Sequence, residues 1–456
     1  MKSLSVQPTS TLQGTIALPG DKSIAHRALI IGAIAKGTTR IKNFPNSQDC
    51  LSTLGALEKL GVRLKKSLKP NGLSEIKIFG KGLAGLNKPL APLFLGDSGT
   101  SFRLLCGLLS GQNFFLRLKA GPSLSRRPMR RITVPLRMMG AKITAKRVVQ
   151  ISRRKVHAAK RIEEYPPFEI KGGNLKGITY TMPVASAQVK SAIVLAGLYA
   201  RGITCIVEPI KTRDHTERML KLFQADIKTI KNKIKVKGGK ELLSPGTIDV
   251  PGDISSATFF IVLAAIAPGA HLVIKNVGLN HSRSGALRVL RRMRADIKIN
   301  TSSSRYAAGL EPAGDIIVKS SLLRGTVVKK EEIPSLIDEL PILMVAASLA
   351  RGRTVFEGVG ELRVKETDRI NSMLRNLTSM GAEIKIEEKR GSENIVIDGV
   401  KELEASEVKS FGDHRTAMSM VVAGLVARGK SKIDDLDCIR KSFPTFLDKL
   451  NSIIQR

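Results

Sequence analysis

Hydrophobic positions along the chain follow a pattern that occurs six times. A run of helical length, apolar on nearly every face, ends at a glycine and gives way to a short β-branched segment. The copies are SIAHRALIIGAIAKGTTRI (residues 23–41), TSFRLLCGLLSGQNFFL (100–116), AQVKSAIVLAGLYARGITCI (187–206), SSATFFIVLAAIAPGAHLVI (255–274), LIDELPILMVAASLARGRTVF (336–356) and DHRTAMSMVVAGLVARGKSKI (413–433). Their closing glycines are Gly37, Gly111, Gly202, Gly269, Gly352 and Gly429. Glycine accepts the left-handed backbone that L-residues resist, so each is expected to cap its helix.

A second pattern follows the first. LGALEKLGVRL, VPLRMMGAKIT, ERMLKLFQADIKTI, VLRRMRADIKI and MLRNLTSMGAEIKI each pass from helical spacing into strict alternation, which predicts an amphipathic helix and then a half-buried strand. FLDKLNSII closes the sixth copy near the chain's end. An α/β unit of this size cannot bury both helix faces alone, so the six should pack together, most simply as two groups of three. Residues 237–253, KGGKELLSPGTIDVPGD, are rich in glycine and proline between the third and fourth units, and LPGDKS (18–23) precedes the first. The expected organisation is α/β with two lobes: residues 1–20 plus 245–456 form lobe I, and 21–244 form lobe II.

Composition narrows the function classes. The longest apolar run, residues 257–267, stops at Pro268, short of the ~20 residues that a membrane span needs. Behind Lys2 there is no continuous apolar run, so no secretory leader is expected and the mature chain should begin at Met1. Cys50, Cys106, Cys205 and Cys438 are scattered with no CxxC pair, which favours a reducing cytoplasm over a disulfide framework or a zinc site. The net charge of +36 raises nucleic acid as a partner, but the cations are spread along the whole chain, aromatics make up 4% and Trp is absent. Without stacking positions among the basic residues, a basic surface around a site for small anions is expected instead, with no nucleic acid and no membrane as partners.

Two phosphate signatures fail on context. GLVARGKS (424–431) matches the P-loop spacing, but it follows a helix and precedes a strand, the reverse of the order that places phosphate at a helix N-terminus. GKGLAG (80–85) matches the dinucleotide spacing yet leads into Asn87, Lys88 and Pro89, which reads as a loop.

The stronger signals lie where the first helix of each unit begins. In GDKSIAHR, Lys22, Ser23 and Arg27 surround a helix start, and a carboxylate or phosphate seat competes there with Ser23 as a plain N-cap. LGDSGTSFR repeats the idea with Gly99 and Thr100, whose small size lets backbone approach a ligand. SLSRRPMRR supplies Arg126 and Arg127, and ASAQ supplies Ser186 and Gln188 at a third helix start. Further on, Asp338 and Glu339 open the fifth helix, LRVKETDR presents Lys365, Glu366 and Arg369, and GDHR gives His414 and Arg415 at the sixth. KETDR alone fits a solvated helix face; six decorated helix starts suggest positive ends aimed at one cleft between the lobes.

In order along nearly the whole chain, LPGDKS, GTSFRLL, RRPM, ASAQVKSA, TRDHTE, IDELPIL, RVKETDR, GDHRTAMS and SFP resemble the enolpyruvyl transferase family, and within it the members that act on shikimate 3-phosphate. The resemblance implies an inverse α/β barrel of six units, three per lobe. It also implies transfer of the enolpyruvyl group of phosphoenolpyruvate to shikimate 3-phosphate through a tetrahedral intermediate, on the route to chorismate and the aromatic amino acids. By that resemblance Ser23, Arg27, Ser186, Gln188, Asp338 and Lys365 hold shikimate 3-phosphate, with Thr212 or Arg213 helping. Lys22, Gly99, Arg127, Gln188, Arg369, His414 and Arg415 hold phosphoenolpyruvate. Asp338 and Glu366, with Lys22, carry the proton transfers. No metal or other cofactor is implied, and a monomer is expected. Gly99 would control access of glyphosate, which takes the phosphoenolpyruvate place in this family.

Two positions depart from the family pattern: Asp437 stands where some members carry lysine, and Ala187 where others carry serine. Arg440 or Lys441 is expected to compensate for the first, and Lys365 for the second. The sister enzymes that act on UDP-N-acetylglucosamine carry Asn after the early lysine and a reactive cysteine in a mobile loop. Here Ser23 follows Lys22, and no cysteine lies between Cys106 and Cys205.

Overall fold

In the computed structural model of the chain, the residues described are 3–9, 11–68, 74–151, 161–301, 311–389 and 391–455. The expected start at Met1 lies outside them. Both runs of each repeat are helices: α1 (Lys22–Ala33) and α2 (Gln48–Lys59), α3 (Gly99–Ser110) and α4 (Arg130–Met138), α5 (Ala187–Gly197) and α6 (His215–Leu222), α7 (Ile254–Ile266) and α8 (Gly285–Arg292), α9 (Leu340–Ser348) and α10 (Arg369–Ser379), α11 (His414–Gly424) and α12 (Phe446–Asn451). The first helix of each pair is apolar all round because it is covered all round: α9 and α11 are buried at every residue, and α7 at all but Ser256 and Ile266. The second helices bury one face, as α2 does with Cys50, Thr53, Ala56 and Leu57.

Contacts divide the chain into two compact units, Met1–Asp21 with Pro251–Arg456 and Lys22–Val250, each with its own hydrophobic core. The second break comes after Val250 and not at residue 244, because strand Thr247–Asp249 pairs in parallel with Thr38–Phe44 and is held in the second unit.

One sheet plan recurs in both units. The strand after each first helix takes a parallel neighbour on one side and, in five repeats, the last strand of a following hairpin on the other. Thus Phe115–Lys119 lies between Leu93–Phe94 (parallel) and Arg161–Lys171 (antiparallel), and Ile203–Val207 between Thr179–Thr181 and Lys233–Lys237. In four repeats the parallel neighbour immediately precedes the helix. The other two exchange it: Thr11–Ala17 precedes α1 yet pairs with His271–Gly278 after α7, while Thr247–Asp249 precedes α7 yet pairs with the strand after α1. In the sixth repeat Leu4–Val6 supplies the antiparallel neighbour of Ser431–Ile433.

Five of the closing glycines, Gly37, Gly202, Gly269, Gly352 and Gly429, have positive φ, but Gly111 is right-handed at φ −87°. Most do not cap the helix as expected. The helix ends earlier, at Gly197 for α5 and Ser348 for α9, and the glycine turns the chain into the strand. The carbonyls of Gly37, Gly202 and Gly352 accept from the amides of Gly80, Gly238 and Gly399. At those three partners a Cβ would lie 2.1, 2.2 and 1.6 Å from the carbonyl oxygens of Ala35, Ala200 and Ala350, so side chains are excluded there by contact.

Among the described residues no helix is long and apolar enough to cross a membrane. All four cysteines are free thiols.

Candidate active site

In the unit Lys22–Val250, the N-terminal turns of α1, α3 and α5 are tied to one another through polar side chains. Lys22 Nζ donates to Asp49 Oδ2 at 2.8 Å. Arg27 is buried, and its guanidinium donates to Thr216 Oγ1 (2.6 Å), the Ser23 carbonyl (2.8 Å) and Ser191 Oγ (2.8 Å). Arg213 donates to the Ser23 hydroxyl at 3.2 Å. Gln188 bridges α5 to α3, accepting from Arg103 Nη1 at 2.6 Å and donating to Thr100 Oγ1 at 2.9 Å. Gly99 begins α3, and a Cβ there would meet Arg103 Nη1 at 2.8 Å and Arg127 Nη1 at 2.9 Å. The missing side chain leaves two guanidiniums beside a helix N-terminus, where backbone N–H groups and the helix dipole already favour an anion. Ser186 is the N-cap of α5, its hydroxyl accepting from the Val189 amide.

In the other unit, guanidiniums alternate with carboxylates at the starts of α7, α9 and α11. Arg369 is 1% exposed; it donates to Asp413 Oδ2 and to Glu366 Oε2, both at 2.7 Å, and lies 3.7 Å from Asp338 Oδ1. Burial works against its charge, but Asp413, Glu366 and Asp338 together raise its pKa. Arg415 donates to Ser255 Oγ (2.6 Å) and to the Asp338 carbonyl (2.8 Å). Beneath this pair, Arg283 holds both oxygens of Glu339 at 2.8 and 2.9 Å, and Ser255 also donates to Glu339. Asp253 and Asp413 cap α7 and α11 by accepting from the Ser255 and Arg415 amides. Burial, then the neighbouring Asp21, raises the Asp253 pKa against the pull of Arg283 and Arg415.

Lys365 is half-buried at the end of the 3-10 turn Gly360–Val364, and His414 is buried as the first residue of α11. KETDR is therefore no solvated helix face: Glu366 and Arg369 are paired, Asp368 caps α10, and Arg363 clamps Asp368 (2.6 Å) and Glu393. Asp437 opens a short 3-10 turn and its amide donates to Asp435.

Reading the sequence alone passed over Asp49, Arg103, Asp253, Ser255, Arg283 and Asp413. Of these, Arg103, Asp253, Ser255 and Asp413 lie inside segments quoted above, each within about one turn of a helix start, where a charge or hydroxyl is the signal to look for.

Cations gather at three helix starts in one unit, and guanidiniums interleave with carboxylates at three helix starts in the other, an arrangement of an α/β protein that suits anionic ligands. The sequence pattern of EPSP synthase (3-phosphoshikimate 1-carboxyvinyltransferase) matches residues 6–450. A 3-phosphoshikimate 1-carboxyvinyltransferase of Geobacter sp. (strain M21) is 45% identical over 456 residues, covering 100% of both chains. One from Bacillus cytotoxicus is 43% identical over 443 residues, covering 97% of this chain and 98% of its own. The solved structure of EPSP synthase from Acinetobacter baumannii superposes with a TM-score of 0.82 at 42% identity, over 99% of this chain and 98% of that one. The chain belongs to the EPSP synthase family.

Proposed function

We propose that the chain transfers the enolpyruvyl group of phosphoenolpyruvate to the 5-hydroxyl of shikimate 3-phosphate, releasing phosphate, as the names of its relatives imply. The observation that carries the division of roles is that one buried guanidinium, Arg369, joins two carboxylates, Asp338 at 3.7 Å and Glu366 at 2.7 Å. Such a pair supplies a base and an acid beside a group that grips anions.

In this reading Asp338 takes the proton of the 5-hydroxyl as its oxygen attacks C2 of phosphoenolpyruvate, while Glu366 protonates the C3 methylene. The resulting tetrahedral ketal phosphate returns a proton from the new methyl group to Glu366 as the C2–O bond to phosphate breaks, which restores the double bond, and the proton taken up by Asp338 leaves with phosphate. Lys22 assists these transfers and, with Gly99, Arg127, Gln188, Arg369, His414 and Arg415, holds phosphoenolpyruvate. Guanidinium groups suit that task because each presents paired donors to a carboxylate or phosphate. Ser23, Arg27, Ser186, Gln188, Arg213, Asp338 and Lys365 hold shikimate 3-phosphate. In one unit Lys22 pairs with Asp49, and in the other Arg369 is matched by Asp413, Glu366 and Asp338. Four free thiols support a reducing cytoplasm as its compartment.

Phosphate release from phosphoenolpyruvate tests the reading. Release is expected with shikimate 3-phosphate and not with UDP-N-acetylglucosamine; the opposite preference, or release with neither, would overturn it.

A further inference from the structure

Between strand Ile203–Val207 and α6, residues 208–214 have no helical or strand backbone, yet they carry Arg213. Such a segment has no continuous ladder of backbone hydrogen bonds, so side-chain tethers bear heavily on its conformation. Its tether is a cluster of three ionisable groups: Lys190 of α5 is 0% exposed, Glu208 and Glu217 are each 4% exposed, and Lys190 Nζ lies 3.2 Å from Glu208 and 2.7 Å from Glu217.

Every polar group of Thr212 is taken up by this cluster. Its amide donates to Glu208 Oε1 at 3.0 Å, its hydroxyl donates to the same oxygen, and its carbonyl accepts from Lys190 Nζ at 3.5 Å. The next residue is Arg213, which donates to the Ser23 hydroxyl, and Thr216 one turn further accepts from Arg27. Asn232 pins the start of the segment by donating to the Glu208 carbonyl, while the Glu208 amide donates to the Asn232 carbonyl.

We infer that Lys190, Glu208 and Glu217 are positioning residues that set the binding of shikimate 3-phosphate by fixing Thr212 and, through it, the direction of Arg213. This rests on the assignment of Arg213 to that substrate. A buried ion pair is weak evidence for a purely stabilising role, because the cost of stripping water from two charges offsets most of their attraction. Here a third ionisable group is buried with the pair, and the hydrogen bonds that remain converge on one residue of one irregular segment.

Steady-state kinetics of Glu208→Gln, Thr212→Val, Arg213→Ala and the double variant Glu208→Gln/Arg213→Ala test this, with thermal melting to show that each is folded. Glu208→Gln and Arg213→Ala are each expected to raise KM for shikimate 3-phosphate about tenfold, with KM for phosphoenolpyruvate and kcat within about twofold, and the double variant should be no worse than Arg213→Ala. Thr212→Val removes one hydroxyl without touching a charge and should show the same split in smaller measure, so the inference stays testable even if Glu208→Gln does not fold. Multiplying effects in the double variant, or an unchanged KM in both Glu208→Gln and Thr212→Val while Arg213→Ala raises it, would overturn the positioning role. An unchanged KM in Arg213→Ala would instead sink the substrate assignment of Arg213 itself.

Discussion

Arg369 and Asp413 form an ion pair with almost no contact with solvent: Nε lies 2.7 Å from Oδ2, and the side chains are 1% and 0% exposed. Asp413 also caps α11 through the Arg415 amide, so the pair fastens α10 to the start of another helix. Removing one partner strands the other's charge in the interior. Arg369→Met should therefore cost about 3–5 kcal/mol in urea unfolding, and adding Asp413→Asn should recover part of it. A loss under about 1 kcal/mol would show that this pair does not fasten α10 to the start of α11.

Glu366→Gln and Asp338→Asn keep shape while removing the carboxylates proposed as proton carriers. Turnover should fall by about 10²–10⁴ in each, with binding of shikimate 3-phosphate, measured by calorimetry, changed far less. Near-normal turnover in both would refute their roles. Lys365→Met should mainly weaken binding of the phosphorylated substrate.

At Gly99 an added methyl meets the guanidinium ends of Arg103 and Arg127 below 3 Å, so one or both must move. Overpacking of this kind costs about 1–3 kcal/mol, and it should fall harder on the longer glyphosate than on phosphoenolpyruvate. Inhibition by glyphosate should weaken about 5- to 150-fold in Gly99→Ala. Equal inhibition constants for the two forms would show that Gly99 does not face the inhibitor.

Acid should destabilise the fold through His26. Burial, and then the charges of Lys22 and Arg27, hold its pKa well below 6.5. Its Nδ1 is 2.7 Å from Thr53 Oγ1, in a chain of hydroxyls that runs through Ser101 to Ser98, the N-cap beside Gly99, while its Nε2 has no hydrogen-bond partner among the described residues. The folded state thus takes up this proton later than the unfolded state. Above pH 6.5 both are neutral and nothing is lost; as pH falls from 6.5 towards the lowered pKa, only the unfolded state gains a proton, and stability drops by up to about 1.4 kcal/mol per pH unit. Denaturant unfolding of His26→Gln at pH 5 and pH 7 should show a smaller difference than the unmodified protein; an equal difference would assign the acid sensitivity elsewhere.

The six helices, their amphipathic partners and the motifs at their starts were legible because each is local. Apolar spacing over three turns, a glycine at the exit and a cation or hydroxyl at the entrance all lie within twenty residues of one another. The ordered set of motifs was enough to indicate the family. The glycines were expected as helix caps, yet five of the six lie beyond their helix ends, and for Gly37, Gly202 and Gly352 the turn into the strand is closed by Gly80, Gly238 and Gly399, more than thirty residues away in each case.

What the sequence alone determined, then, is the repeat and the class of fold, together with a set of candidate residues of the types that grip anions or move protons. Tertiary structure alone decided who faces whom. Arg27 is satisfied by Thr216 and Ser191, 189 and 164 residues distant, and Arg369 by Asp413, 44 residues distant. No local period records such partners, because they come from separate helices brought together by burial of their apolar faces. The same holds for the exchanged strands Thr11–Ala17 and Thr247–Asp249: each precedes a helix whose following strand it does not join, since the chain passes from one unit to the other at residues 21–22 and 250–251, between the strand and that helix.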